Sequence, residues 1–143
     1  MIDRSLIARK MSLILEDVAE ITRLSQLPRE QYLKDSTNET LAERYLERAI
    51  GRMIDINFHL ITGLDHTPPK DYHESFVILG TLGVMTADLA REMARASGLR
   101  NRIVHEYDDI DPERVHEALP IAVRQIPLYL DHIQRFVEKE SHG

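Results

Sequence analysis

The chain has 143 residues, of which 43% are hydrophobic and 29% charged, and its formal net charge is −6. This composition excludes a disordered chain and is typical of a soluble domain, so we expect one domain over residues 1–143. There is no cysteine, which excludes disulfides and thiolate metal sites and favours a cytoplasmic location. No apolar run approaches the roughly 18 residues of a membrane span, so no membrane association is expected.

The acidic net charge also limits the ways in which the chain could bind nucleic acid. A protein that covers nucleic acid with its whole surface should be basic. Any nucleic-acid contact must therefore come from a local basic patch, or from an assembly that concentrates such a patch.

The first 38 residues predict one amphipathic helix and a connector. Apolar residues recur at steps of three and four, as a helix requires: Ile7, Met11, Ile14, Val18 and Ile21. Pro28 marks the end of this helix or the loop after it. The polar stretch LPREQYLKDSTN, residues 27–38, reads as a connector with room for a short helical turn.

A second helix should begin near Thr37 or Asn38, either of which could cap it, and end at Gly63. One face of this helix is formed by Leu46, Ile50, Met53, Asn57 and Leu60. Further apolar residues widen that face, so we expect this helix to be central in the fold. Gly51 is an unfavourable residue inside a helix, at a cost of up to about 1 kcal/mol, and could permit close helix packing.

Two shorter helices should follow. The third runs from about Tyr72 to Leu82, with Asp71 and Glu74 resembling a capping box. Thr86 should cap the fourth. This helix either ends at Gly98 or continues beyond it.

The last helix should begin sharply at Asp111 and Pro112, with the aspartate as N-cap and the proline at the first helical position. Pro120 and Pro127 lie inside this helix and should kink or interrupt it. No segment alternates with the period of two that a strand requires. The sequence therefore predicts an all-α bundle of four or five helices.

The stretch GLRNRIVHEYDDID, residues 98–111, concentrates residues that can carry chemistry. On a helix with about 100° per residue, Asn101 lies between Arg100 and His105, and Tyr107 lies nearly above Arg100. Arg100 and His105 border the same half of the cylinder but cannot both reach one small atom from a single straight helix. A second copy related by a two-fold axis would complete the groove with a second arginine and histidine.

These residue types favour metal-free cleavage of RNA, in which the ribose 2′-OH attacks the neighbouring phosphate. Histidine exchanges a proton near neutral pH, and arginine binds a phosphate and offsets the charge that develops on it. Residues 91–105 contain four arginines, including Arg95 and Arg102, against one glutamate, whereas residues 106–113 contain five acids and no base. From spacing alone, however, a solvated helix end with a half-buried His105 remains the more common arrangement.

The segment RNRIVHEY resembles the R-x4-H-x-Y signature of the HEPN toxins of HEPN–MNT toxin–antitoxin pairs, the HepT-like family. Arg100, Asn101, His105 and Tyr107 match the motif. The similarity extends to ERYLERAIGRMIDINFHLI, the central helix, and to DYHESFVILGTLGVMTADLAREM before the motif, so it covers nearly the whole chain. Gly51 departs from it, because a helix former such as glutamate is expected there.

The resemblance implies an RNase toxin that acts as a homodimer, with a composite site in the cleft between the protomers. Arg100 and His105 would be catalytic, with Asn101 orienting one of them. From the basic strip over residues 91–105, Arg95 and Arg102 are expected to contact RNA. The resemblance further implies a small MNT-type nucleotidyltransferase antitoxin as partner, which can neutralise the toxin by transferring AMP to Tyr107. No cofactor and no metal are expected. The alternative function is a non-catalytic helical dimer that binds nucleotide or carries a nucleotidyltransferase.

Several other residues have less specific interpretations. Asp55 and His59 are four apart and could share a metal, but two ligands do not make a site, and a polar pair at the surface or an interface is favoured. Asn57 on the apolar stripe should be a satisfied buried amide, with a position in the dimer cleft as the alternative. The remaining histidines considered are read as surface or loop residues: His66, His73, His116 and His132.

Overall fold

The computed structural model describes residues 1–106 and 110–142. Within these ranges the chain forms six helices and no strand: α1 (Arg4–Ser25), α2 (Arg29–Lys34), α3 (Ser36–Gly63), α4 (Tyr72–Thr81), α5 (Ala87–His105) and α6 (Pro112–His142). The predicted all-α class is confirmed. The predicted count of four or five helices is too low, because the connector contains α2, a full short helix. No helix in the described ranges is both long and apolar enough to cross a membrane.

The central position predicted for α3 is confirmed. This helix packs against all five others, and ten of its residues are buried: Ala42, Leu46, Ala49, Ile50, Met53, Ile54, Ile56, Asn57, Leu60 and Ile61. Burial on so many sides explains why its apolar residues cover more than the narrow stripe of a surface helix. α1 packs against both α3 and α6, and α4 packs against α5.

The helix starts follow local capping signals. The Asp71 carboxylate accepts a hydrogen bond from the Glu74 amide at 2.7 Å, and the Thr86 hydroxyl accepts one from the Leu89 amide, as predicted. The cap of α3 is a correction: it is Asp35, rather than Thr37 or Asn38, that accepts from the Thr37 amide at 3.0 Å. A charged carboxylate is favoured there by the positive end of the helix dipole as well as by the hydrogen bond.

The turn between α4 and α5 is fixed by Gly83, which has a φ of +78°. Here the Val84 amide donates to the Leu79 carbonyl at 2.9 Å and the Gly83 amide donates to Gly80 at 3.2 Å, the bonding pattern of a glycine-terminated helix. A left-handed backbone conformation costs little energy only at glycine, which has no Cβ. The short turn makes α4 and α5 antiparallel neighbours, so the first turn of α4 lies beside the later part of α5.

α6 begins as predicted, with the Asp111 carboxylate accepting from the Glu113 amide at 2.9 Å. The expected interruption at Pro120 and Pro127 does not occur, because the helix is continuous from Pro112 to His142. The two prolines are seven residues apart and both are exposed. They therefore share the solvent-facing side, where carbonyl groups that lose their helical donor can bind water.

Candidate active site

Arg100 lies on the side of α5 that faces α3 and α4. It lines an open groove of about 360 Å³, together with Gly51, Ile54, Asp55, Phe58 and Tyr72. The carbon at the centre of the Arg100 guanidinium lies 5.2 Å from the centroid of the Tyr72 ring, within cation–π distance. The Tyr72 ring in turn meets Phe58 edge-on, with centroids 6.2 Å apart.

The other two predicted catalytic residues lie at the end of the same helix. Asn101 and His105 are both exposed, and α5 ends at His105, where the Glu106 amide donates to the Arg102 carbonyl at 2.8 Å. Within residues 1–106 and 110–142, no hydrogen bond joins Asn101 to Arg100 or His105, so the orienting role predicted for Asn101 has no contact to support it in this protomer. Because α5 is helical over residues 100–105, Arg100 and His105 are separated around its axis, as predicted from about 100° per residue.

Tyr107, the predicted modification site, lies outside the described residues. The helical wheel applies only as far as His105, because Glu106 has a non-helical backbone.

Arg95 and Arg102 are on the other side of α5 from Arg100. Arg95 lines an opening between α5 and α6 whose floor includes Met53 and Ile126. Arg102 lines a neighbouring opening near the start of α6, together with Arg114. The structure thus does not bring these two predicted RNA contacts into the Arg100 groove within one protomer.

Asn57 is a satisfied buried amide, as favoured from the sequence. Its Oδ1 lies 2.5 Å from the Tyr129 hydroxyl, and its Nδ2 donates to the Ser75 hydroxyl at 3.1 Å. The Ser75 hydroxyl donates onward to the Tyr72 carbonyl at 2.7 Å. A chain of hydrogen bonds therefore runs from α6 through α3 to the first turn of α4, where Tyr72 begins the wall of the groove.

Asp55 and His59 have separate partners. Asp55 forms an ion pair with Lys10 at 2.9 Å, and His59 Nε2 accepts from the Asp3 amide at 2.7 Å. Both contacts join α3 to the start of the chain. Throughout the described part of the chain, no group of three or more histidine, aspartate or glutamate side chains is placed to hold a metal ion.

His116 is a correction to the surface-or-loop interpretation. It is half-buried on α6, stacks on the Tyr32 ring at 4.6 Å between centroids, and lies 3.2 Å from the Leu27 carbonyl. Because the imidazole combines an apolar ring with a polar edge, it can close the junction of α2 and α6 and still bond a backbone carbonyl. His73 is exposed, as expected.

A second polar cluster lies around Tyr32, away from the groove. Burial raises the pKa of the Tyr32 hydroxyl, and the neighbouring Glu39 and Glu43 carboxylates raise it further. Burial also raises the pKa of Glu43, with Glu39 adding to the effect. The Tyr32 hydroxyl and Glu43 Oε1 are both buried, and neither has a hydrogen-bond partner within the described ranges. This cluster joins α2 to α3 and contains none of the motif residues.

The sequence interpretation missed Tyr72 and Phe58 as neighbours of Arg100. Both were assigned to helices only. An aromatic residue within a helix is a common core contact, so neither position carries a local signal for a site. The contact arises because the α4–α5 turn places residues 28 positions apart side by side.

Comparison with known proteins identifies the family. The family model for "Ribonuclease HepT-like" matches residues 14–138. A tRNA nuclease HepT from Aphanizomenon flos-aquae is 34% identical over 136 residues, which are 95% of this chain and 92% of that protein. An mRNA nuclease HepT from Shewanella oneidensis is 25% identical over 108 residues, 76% of each chain.

Solved structures share the fold. The tri-AMPylated Shewanella oneidensis HEPN toxin, in complex with its MNT antitoxin, superposes with a TM-score of 0.85 at 22% identity, covering 93% of this chain and 99% of that one. At this identity the likeness establishes the architecture only. The family match, in contrast, extends over most of the sequence and includes the Arg100–His105 segment, and on that ground the chain belongs to the HepT-like ribonuclease family.

Proposed function

We propose that this chain is the toxin of a toxin–antitoxin pair, an endoribonuclease that cleaves RNA without a metal through Arg100 and His105. The observation that carries the proposal is that a HepT-like ribonuclease chain retains both residues on one helix, with the arginine in an open groove and the histidine exposed. The names of the relatives, tRNA nuclease and mRNA nuclease, support RNA of one of these kinds as substrate.

The proposed reaction is an intramolecular transesterification. A histidine takes the proton of the ribose 2′-OH, and the oxygen attacks the adjacent phosphorus. The bond to the 5′-oxygen breaks, and that oxygen leaves with a proton donated by an acid, which gives a 2′,3′-cyclic phosphate and a 5′-hydroxyl. Arg100 would bind the phosphate and offset the charge that accumulates on its oxygens in the transition state.

A homodimer is part of the proposal. Arg100 and His105 lie about 140° apart around α5, a separation set by five residues of helix. In one protomer, therefore, the arginine lies in the groove and the histidine lies outside it. The two side chains do not converge on one phosphate. A two-fold copy of α5 would supply a second pair and complete the site. Two further roles stay predictions for such a dimer. Asn101 would orient one of the catalytic residues, and Arg95 and Arg102 would contact RNA.

The proposed regulator is an MNT-type nucleotidyltransferase antitoxin that transfers AMP to Tyr107. The support comes from the Shewanella oneidensis structure, in which a tri-AMPylated HEPN toxin is in complex with an MNT antitoxin. An AMP group next in sequence to the catalytic segment would add bulk and negative charge where RNA phosphates must bind. We also expect this toxin to act in the cytoplasm, where its RNA substrates are.

The test is cleavage of total cellular RNA in EDTA by the unmodified purified chain. His105→Ala should lower the rate by about a hundredfold or more, the contribution of general acid–base catalysis. Arg100→Ala should lower it by about a hundredfold or more, because it removes the charge that stabilises the phosphate oxygens in the transition state. Arg91→Ala and His132→Ala are matched controls, because Arg91 pairs with Asp88 on the exposed side of α5 and His132 bonds the Leu128 carbonyl on α6.

Cleavage that disappears in EDTA would contradict a metal-free mechanism. Equal cleavage rates of His105→Ala and the wild type would show that His105 is not a catalytic residue. If the wild type, free of any adduct on Tyr107, cleaved no RNA and slowed no growth on expression, the non-catalytic dimer would be the better description. Light scattering on the same preparations tests the homodimer.

A further inference from the structure

The Arg100 guanidinium is held by an aromatic ring rather than by a carboxylate. Its central carbon lies 5.2 Å from the Tyr72 ring centroid. Across the described residues, no carboxylate lies within ion-pair distance of Arg100. Asp55 lines the same groove, but its Oδ2 is 2.9 Å from Lys10 Nζ. Among residues 1–106 and 110–142, no group occupies the outer nitrogens of the guanidinium, which leaves these donors to a ligand.

The inner side of Arg100 reaches α3 at Gly51. The Arg100 Nε is buried and has no hydrogen-bond partner among the residues that the structure describes. A Cβ built at Gly51 would lie 3.9 Å from this nitrogen, an ordinary van der Waals contact, so the bare helix backbone sits directly beneath the arginine. Position 51 thus supplies no side-chain acceptor, and the Tyr72 ring is the contact that directs the head group.

Tyr72 itself is anchored to the core. Its carbonyl accepts from the Ser75 hydroxyl, which accepts from Asn57, which is bonded to Tyr129. Asn57, Ser75 and Tyr129 are fully buried, whereas the Tyr72 residue is 40% exposed. The ring therefore stands at the surface on a rigid base, which is the arrangement expected of a group that orients another side chain.

We propose that Tyr72 is a positioning residue, whose ring holds the Arg100 guanidinium in the orientation that binds the scissile phosphate. This inference rests on the proposed ribonuclease function. The ring attracts the cation through its negative face without neutralising the charge, so Arg100 is oriented yet keeps its hydrogen-bond donors for the phosphate. An aspartate or glutamate in the same place would compete with the phosphate for those donors.

Kinetics of cleavage of a short RNA oligonucleotide provide the first test. Tyr72→Leu should lower kcat by about fivefold to thirtyfold, the contribution of a cation–π contact, with little change in KM. Tyr72→Phe keeps the ring and should restore kcat. In an Arg100→Ala background, Tyr72→Leu should have no further effect, because the ring acts through the arginine. Tyr45→Leu is the control for loss of a half-buried tyrosine that does not line the groove.

An NMR measurement separates failure of this inference from failure of the ribonuclease proposal, because it needs no activity. The Nε–H signal of Arg100, assigned by its loss in Arg100→Lys, should be shifted by the ring current of Tyr72. Tyr72→Leu should abolish the shift, and Tyr72→Phe should retain it. A shifted signal in a chain that cleaves no RNA would support the positioning contact and contradict only the activity.

Three results would overturn the inference. An unshifted Arg100 signal in the wild type would show that the ring does not hold the guanidinium. A rise in KM at constant kcat in Tyr72→Leu would indicate that the ring stacks on an RNA base instead. A loss of kcat in Tyr72→Leu that persists in the Arg100→Ala background would show that Tyr72 acts independently of the arginine.

Discussion

The Tyr129 hydroxyl and the Asn57 amide oxygen lie 2.5 Å apart in the centre of the bundle, and neither residue is exposed. The pair links α6 to α3, and the other end of the amide links α3 to Ser75 in the first turn of α4. A buried polar group is costly when unpaired and inexpensive when satisfied, so this chain of bonds specifies one arrangement of the three helices. The first turn of α4 then carries Tyr72 to Arg100.

Removing the Asn57 amide should destabilise the fold. Asn57→Leu leaves the Tyr129 and Ser75 hydroxyls without this buried partner, and we expect a loss of about 1–3 kcal/mol in the free energy of unfolding. Urea denaturation in the His105→Ala background, which avoids toxicity during expression, measures the loss. Asn101→Leu, the same change at an exposed position of α5, should cost less than about 0.5 kcal/mol. Equal losses in the two variants would contradict the structural role of Asn57.

Replacement by alanine should change the free energy of unfolding in opposite directions at two glycines. At Gly51 an added Cβ makes only an ordinary contact of 3.9 Å, so Gly51→Ala should stabilise the chain by about 0.5–1 kcal/mol through helix propensity. At Gly80 a Cβ would lie 3.0 Å from Ala90 Cβ and 3.2 Å from Ala87 Cα, which would force α4 and α5 apart. Gly80→Ala should destabilise by about 1–3 kcal/mol. Thermal unfolding compares the two, and a gain in stability from Gly80→Ala would refute the close packing of α4 on α5.

The pH dependence of stability should reveal the half-buried Glu43. Burial, and then the charge of Glu39, raise the pKa of Glu43 in the folded chain, so folding favours its protonated form. The free energy of unfolding therefore falls as the pH rises from the pKa of Glu43 in the unfolded chain through its pKa in the folded chain. Glu43→Gln carries no charge, and its free energy of unfolding should exceed that of the wild type at pH 7.

Denaturation series between pH 4 and pH 7 measure this difference, which should shrink toward the acidic end. Glu30→Gln, at an exposed position on α2, is the control for removing one negative charge from the surface. A difference between Glu43→Gln and the wild type that stays constant over this range would show that Glu43 does not titrate as the structure implies.

Modification of Tyr107 is testable by mass spectrometry of the intact chain. Co-expression with the proposed MNT-type nucleotidyltransferase antitoxin should add the mass of one or more AMP groups, and Tyr107→Phe should remove that mass. Tyr72→Phe removes a different exposed tyrosine and should leave the addition unchanged. The modified chain should also lose RNA cleavage, because the anionic group would oppose phosphate binding. AMP that remains on Tyr107→Phe would place the modification elsewhere.

The helices and the motif could be read from the sequence because their signals are local. Apolar spacing marks α1 and α3, and side-chain caps at Asp71, Thr86 and Asp111 mark the starts of three further helices. The same local reasoning underestimated α2. It also left open an interruption of α6 at Pro120 and Pro127, because the exposed side of that helix is defined only by what packs on its other side.

The surroundings of Arg100 were decided by the tertiary structure alone. The sequence determined an arginine and a histidine five residues apart on a helix, because helical geometry depends on neighbouring residues only. It did not determine that Tyr72 covers Arg100, that Gly51 lies beneath it, or that Asn57 anchors the turn that carries Tyr72. These contacts join residues between 18 and 49 positions apart, and they exist only because the Gly83 turn and the burial of α3 bring those helices together.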